Sequence, residues 1–177
     1  MQPLRRNMCW SIDFMSDALT NGLRFRTFNV MDDFNRECLK IKVGMSLTSR
    51  VVTNCLDRIG EARGYPESIR TDNGPEFISK HFEQWAKQHG IRLIHIEPGK
   101  PAQNGYIERF NRSYREDVLD MYLFDSIREV QLKTEEWRRY YNQAWSHESL
   151  GWKTPLEFGY GPQAGELLFG NNTGRYL

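Results

Sequence analysis

Cysteine is scarce in this chain, as are most features that would assign it quickly to a class. Of 177 residues three are cysteines, Cys9, Cys38 and Cys55, and no two form a Cys-x-x-Cys pair. That count argues against a disulfide framework and predicts reduced, mostly buried thiols of a cytosolic protein. The histidines His81, His89, His95 and His147 lack zinc spacing and have no cysteine partners near them. No apolar run approaches the roughly 18 residues of a membrane span. The opening Met1-Gln2-Pro3-Leu4-Arg5-Arg6 has no apolar stretch behind it that would make a secretory signal. Internal repeats and low-complexity blocks are missing too. Formal net charge is only +1, so no excess of one sign advertises a nucleic-acid partner. This last absence excludes little. A metal-dependent nuclease carries acids that bound cations neutralise, so its whole-chain charge understates its basic surface.

With 39% hydrophobic and 27% charged residues, the chain has the composition of an ordinary soluble domain, long enough for one sizeable core. Residues 8–15 read as a buried strand. Residues 23–30 and 38–43 alternate apolar and polar as half-buried strands do, and Asn21-Gly22 is a tight-turn signal before the second. Three strands with short links predict an antiparallel meander. The period then changes. Residues 48–63 place Val51, Val52, Cys55, Leu56 and Ile59 on one helical face. A short strand at 68–71, a helix at 79–89 stopped by Gly90, and a strand at 91–96 follow. A helix over about 104–119 carries an apolar stripe of Ile107, Phe110, Tyr114 and Val118. Beside it runs a polar stripe of Asn104, Glu108, Asn111, Arg112 and Arg115. Helices opening on the capping boxes Ser126-Ile127-Arg128-Glu129 and Thr154-Pro155-Leu156-Glu157 complete the order. The whole predicts an α/β fold, a five-stranded mixed sheet flanked by helices. The domain is expected to span residues 1–160, with a loose tail over 161–177.

Three acids stand out by context. Asp13 interrupts the apolar run Cys9-Trp10-Ser11-Ile12-Asp13-Phe14-Met15, where a buried carboxylate is costly unless paired or metal-bound. Asp72 ends a strand and opens the turn Asn73-Gly74-Pro75, and Glu108 rides on the helix. Each alone has a plain structural reading: a strand end, a turn-former and a solvated helix residue. Together, acids at strand ends and on one helix are what a two-metal phosphodiester site needs, since Mg²⁺ takes hard oxygen ligands.

From Trp10 to about Phe158 the chain resembles the integrase catalytic core of bacterial insertion-sequence transposases, relatives of retroviral integrases. The resemblance rests on Trp10-Ser11-Ile12-Asp13-Phe14, Asp32-Asp33-Phe34-Asn35-Arg36 and Thr71-Asp72-Asn73-Gly74-Pro75-Glu76-Phe77. The most specific stretch is Pro98-Gly99-Lys100-Pro101-Ala102-Gln103-Asn104-Gly105-Tyr106-Ile107-Glu108-Arg109-Phe110-Asn111, and thirty-five residues separate Asp72 from Glu108. The resemblance implies a ribonuclease-H-like fold and a catalytic, metal-binding triad of Asp13, Asp72 and Glu108. It implies two Mg²⁺ ions, for which Mn²⁺ can substitute, and cleavage and joining of DNA at transposon ends and target. The DNA-binding residues it suggests are Lys100, Asn104, Arg112 and Arg115, the last in the position where the family favours a basic residue. Asp32 and Asp33 fall outside the triad, and Glu76 reads as flanking a helix.

A bacterial cytoplasmic location, on the nucleoid during action, and a homo-oligomer when active are further implications, with no membrane partner. The family's helix-turn-helix region is missing ahead of the first strand, so the chain is expected to be a catalytic core, a fragment or a truncated frame. Trp145-Ser146 replaces the family's Arg-Pro before His147, which questions how the last segment docks. Two alternatives stay open: a nuclease that hydrolyses without joining, and a degenerate core that only binds DNA or a partner.

Overall fold

Three antiparallel strands, the first two buried along much of their length, form the frame. A computed structural model of the chain describes residues 3–97 and 104–162; the expected Lys100 loop and most of the expected tail lie outside the described residues. Strands β1 (Cys9–Ala18), β2 (Arg24–Asp32) and β3 (Cys38–Gly44) form the antiparallel meander. The Asn21-Gly22 turn closes β1 onto β2, with Gly22 at φ 83°, a conformation that favours glycine. β1 runs three residues further than expected because Ser16, Asp17 and Ala18 keep partners on β2. Helix α1 (Ser49–Arg63) then crosses to β4 (Ser68–Thr71), and α2 (Lys80–Gln88) crosses to β5 (Arg92–His95). β4 lies parallel to β1 and β5 parallel to β4, so the sheet order is β3-β2-β1-β4-β5.

Each face of the sheet carries its own core. Trp10, Ile12, Phe28, Val30 and Ile69 pack against Val52 and Leu56 of α1 and Phe82 and Trp85 of α2. On the other face Phe25, Met31, Ile41 and Val43 meet Ile107, Phe110 and Tyr114 of α3 (Gly105–Tyr114) and Val130, Trp137 and Tyr141 of α4 (Ile127–Gln143). The expected long helix is split. After Tyr114 it widens into a π-helical turn, Arg115–Leu119, which lets Val118 and Leu119 both enter the core. A 3₁₀ turn (Glu148–Leu150) and α5 (Pro155–Tyr160) end the described chain, α5 on a complete Thr154–Glu157 capping box. The Trp145-Ser146 segment docks by aromatic contact, Trp145 stacking on His147 and meeting the Tyr141 ring edge-on.

Two buried acids set the register of the inner strands. Asp32, at the end of β2, accepts from Arg63 at 3.0 Å and from the Asn7 and Phe34 amides. Asp33 accepts from Arg70 of β4 at 2.6 Å. Both carboxylates are fully buried, so their guanidinium partners are what make ionisation tolerable there. Arg70→Met is expected to cost about 3–5 kcal/mol, because it strands the Asp33 charge. Urea denaturation measures it, and a loss under about 1 kcal/mol would mean the pair carries little.

Candidate active site

Asp13 lies mid-strand on β1, on the face that α3 covers. Its Oδ1 accepts from the backbone N–H of Phe14 at 2.8 Å, and its Oδ2 accepts from Asn111 Nδ2 of α3 at 2.8 Å. Asn111 is held in turn, its Oδ1 accepting from Asn29 Nδ2 at 2.7 Å. Asn29 is fully buried on β2 and stands directly across from Asp13 in the ladder. The donor of Asn29 fixes which end of the Asn111 amide faces Asp13: the N–H end. Sequence reasoning missed both asparagines as members of the site, since the helical wheel puts Asn111 on a polar stripe with solvated residues. A signal does exist: Asn111 follows Glu108 by three positions and so shares its side of the helix.

Asp72 leaves β4 two residues beyond Arg70, which the Asp33 bond holds beside Ser11 of β1. The turn that follows is tight. Gly74 N–H donates to Asp72 Oδ1 at 2.9 Å, and a Cβ at Gly74 would sit 3.0 Å from that oxygen. A side chain there would crowd the carboxylate, which accounts for glycine in the Asp-Asn-Gly turn. Phe77, fully buried and stacked 5.0 Å from Phe14, anchors the turn to the back of β1. Glu76 lies between the turn and α2 and pairs with Arg26, whose guanidinium lies over the Phe14 ring.

Glu108 stands exposed in the first turn of α3. The three acids feel one another: burial, then the charges of Asp72 and Glu108, push the Asp13 carboxyl up to about 6, while the Phe14 and Asn111 donors pull it down. Among the described residues no group of three His, Cys, Asp or Glu side chains is gathered tightly enough to hold a metal ion as it stands. The donor chemistry nevertheless suits a hard divalent cation: three carboxylates whose mutual repulsion a cation relieves.

The residues expected to meet DNA separate here. Arg112 is exposed on α3. Asn104 is 4% exposed, and among the described residues its Oδ1 has no hydrogen-bond partner. Arg115 reaches the end of β1, donating to Ser16 O at 3.0 Å and pairing with Asp17 and Asp120 at 3.4 Å. Lys100 lies outside the described residues.

Two family models, both described as integrase core domain, match residues 3–101 and 89–155. The chain belongs to the integrase core family. Among insertion-element proteins, this integrase core is 45% identical over 152 residues to a 39.2 kDa protein of IS476 from Xanthomonas euvesicatoria. It is 41% identical over the same length to a 31.7 kDa protein of IS407 from Burkholderia multivorans. Each match covers 86% of this chain but only 44% and 55% of those relatives, so the chain spans about half their length. In structure it is similar to the HTLV-2 integrase catalytic core domain in complex with magnesium, with a TM-score of 0.71 at 20% identity. That match covers 89% of this chain and 99% of the other. A simian T-cell lymphotropic virus intasome chain matches with a TM-score of 0.73 at 20% identity, over 92% of this chain and 58% of its own. These likenesses establish the ribonuclease-H-like fold that the motifs implied.

Because the Asp13 carboxyl is raised above its ordinary value, the folded state binds its proton more tightly than the unfolded chain does. Stability from this group is therefore present at low pH and lost as pH rises from about 4 through about 6. Asp13→Asn removes that loss and is expected to raise the thermal midpoint of the metal-free protein at pH 7.5 while leaving it nearly unchanged at pH 4. Calorimetry at the two pH values checks it, and a lower midpoint at pH 7.5 would mean that the ionised Asp13 stabilises the fold instead of straining it. Asn111→Leu is expected to weaken Mn²⁺ binding roughly 10- to 100-fold, as loss of a ligand-orienting hydrogen bond does. Titration calorimetry or the spin signal of free Mn²⁺ reads this directly, and unchanged affinity would remove Asn111 from the site.

Proposed function

We propose that this integrase core carries the catalytic acids of an insertion-sequence transposase, cleaving DNA and joining a 3′-hydroxyl to a target strand with divalent metal. The observation that supports this best is geometric: Asp13 lies on β1, Asp72 directly follows the neighbouring parallel strand β4, and Glu108 is on α3, the helix whose Asn111 bonds Asp13. Nothing in the fold's stability calls for three uncompensated acids to face one another, whereas a metal site does.

Asp13 and Asp72 would hold the ions from neighbouring strands, and Glu108 would swing in from the first turn of α3 to close the set. Bound Mg²⁺, two ions by the family resemblance, would supply Lewis-acid activation of water or a 3′-hydroxyl and stabilisation of the leaving oxygen. Each Asp13 oxygen already takes one donor, from Phe14 or Asn111, and keeps a second lone pair directed elsewhere. Asn111 thus orients Asp13 without consuming it. β1 and β4 are paired in the sheet, and Arg70 ties β4 to Asp33 at the end of β2, which would fix the spacing of the two aspartates. Arg112, exposed beside Glu108, would meet a DNA phosphate, and Lys100 would do the same from the loop ahead of α3. The partners are transposon-end and target DNA, in a homo-oligomer that brings two such sites together. The site of action is the bacterial cytoplasm, and no helix among the described residues is long and apolar enough to cross a membrane.

Strand-transfer assays on paired-end DNA test the reading. Asp13→Asn, Asp72→Asn and Glu108→Gln are each expected to lower joining by roughly a thousandfold or more. Each should also lose the Mg²⁺-induced rise in thermal midpoint that the unaltered chain shows. Retained joining in any one variant removes that residue from the triad. Cleavage without joining in the unaltered chain would identify a nuclease in place of a transposase.

A further inference from the structure

Trp152 is held against its own conformational preference. It sits at φ 63°, in the left-handed region that bulky side chains avoid and glycine enters freely. It follows Gly151, at φ 65°, in the turn between the 3₁₀ helix and α5. Backbone hydrogen bonds fasten this turn. Trp152 N–H donates to His147 O at 2.9 Å, and His147 N–H donates to Lys153 O at 3.0 Å. Leu150 of the same turn is buried. The strained side chain gains no burial: Trp152 is 71% exposed, whereas Trp10, Trp85 and Trp137 are buried and Trp145 is half-buried. Strain and exposure together give the fold nothing. They mark a side chain kept for a partner outside it.

The surroundings of the turn identify that partner. His147 meets the Tyr141 ring edge-on at 4.9 Å, and Tyr141 meets Phe110 of α3 edge-on at 5.0 Å. This chain of rings seats the turn beside the helix that carries Glu108. Exposed cations accompany it: Lys153 follows Trp152 directly, and Arg109 follows Glu108 on α3. Burial, then the charges of Arg36 and Arg109, hold the His147 imidazole below its ordinary value, so both arginines lie near the turn. Glu148 is the one acid between His147 and Lys153. A docking surface for another protein needs a contiguous apolar patch, and Trp152 offers one flat ring among cations. That combination suits a nucleotide, whose base stacks on the indole while its phosphates meet the cations. In duplex DNA the neighbouring bases cover both faces of each base. The ring can therefore reach only a base at an end or one turned out of the stack.

We infer that Trp152 is a stacking platform for an unpaired DNA base beside the candidate active site, with Lys153 and Arg109 meeting the flanking phosphates. The inference rests on the reading of Asp13, Asp72 and Glu108 as a site that works on DNA.

Tryptophan emission of the full chain tests it. Acrylamide should quench an exposed fraction of the emission, and Trp152→Phe should abolish that fraction. A short single-stranded oligonucleotide should dim the same emission and shield it from acrylamide. Trp152→Ala is expected to bind that strand roughly tenfold more weakly, and Trp152→Phe to lose less, while binding of a blunt duplex hardly changes. Trp152→Leu keeps an apolar side chain without the flat ring, and should bind as weakly as Trp152→Ala. Trp152→Gly relieves the left-handed strain, so its thermal midpoint should hold or rise while the single strand is lost. Emission unmoved by the single strand, undiminished binding in Trp152→Leu, equal losses for duplex and single strand, or a lower midpoint in Trp152→Gly would each overturn the inference. If Trp152→Ala binds and joins DNA as the unaltered chain does, the platform falls and the transposase reading stands. If the strand stacks on Trp152 but the unaltered chain joins nothing, the platform stands and that reading falls.

Discussion

The Asp33–Arg70 bond is the constraint on which the rest of the arrangement depends. A fully buried carboxylate at the end of β2 needs a cation, and the one it finds belongs to β4. Meeting that need draws β4 alongside β1 in parallel register, with Arg70 opposite Ser11. Asp72, two residues on, then leaves the sheet close to Asp13. Asp32 does the same for the end of α1 through Arg63. An acid pair outside the candidate site thus determines where the candidate acids stand.

The second tie is weaker and nearer the chemistry. Asn111 joins α3 to β1 through Asp13 and to β2 through Asn29, so the helix bearing Glu108 is pinned at the very carboxylate Glu108 must join. Burial first, and then the charges of Asp72 and Glu108, raise the Asp13 carboxyl. Among the described residues its hydrogen-bond donors are neutral amides, of Phe14 and Asn111, with no lysine or arginine among them. A site so arranged is poor at stabilising the empty protein and suited to taking up a divalent cation.

Much of this was legible in the residues. The buried run of the first strand, alternation in the next two, the Asn-Gly turn, the capping residues and the apolar stripes placed the main helices and strands within a few positions, since local pattern reports which face is buried. The Asp-Asn-Gly-Pro turn and the helix from Gly105 carried the likeness to integrase cores, and the family matches bear that out. Arg115 lies seven residues after Glu108 and reaches Ser16 and Asp17 of β1, partners that only the fold brings near it.

By itself the sequence determined the order of elements, the two-sided core and the identity of the acids, because each follows from local pattern or from a short motif. Only tertiary structure decided what those acids touch. Asn29 and Asn111 are eighty-two residues apart, and Asp33 and Arg70 thirty-seven. No periodicity relates such pairs, since what joins them is the burial of polar groups that must find a partner wherever the fold brings one.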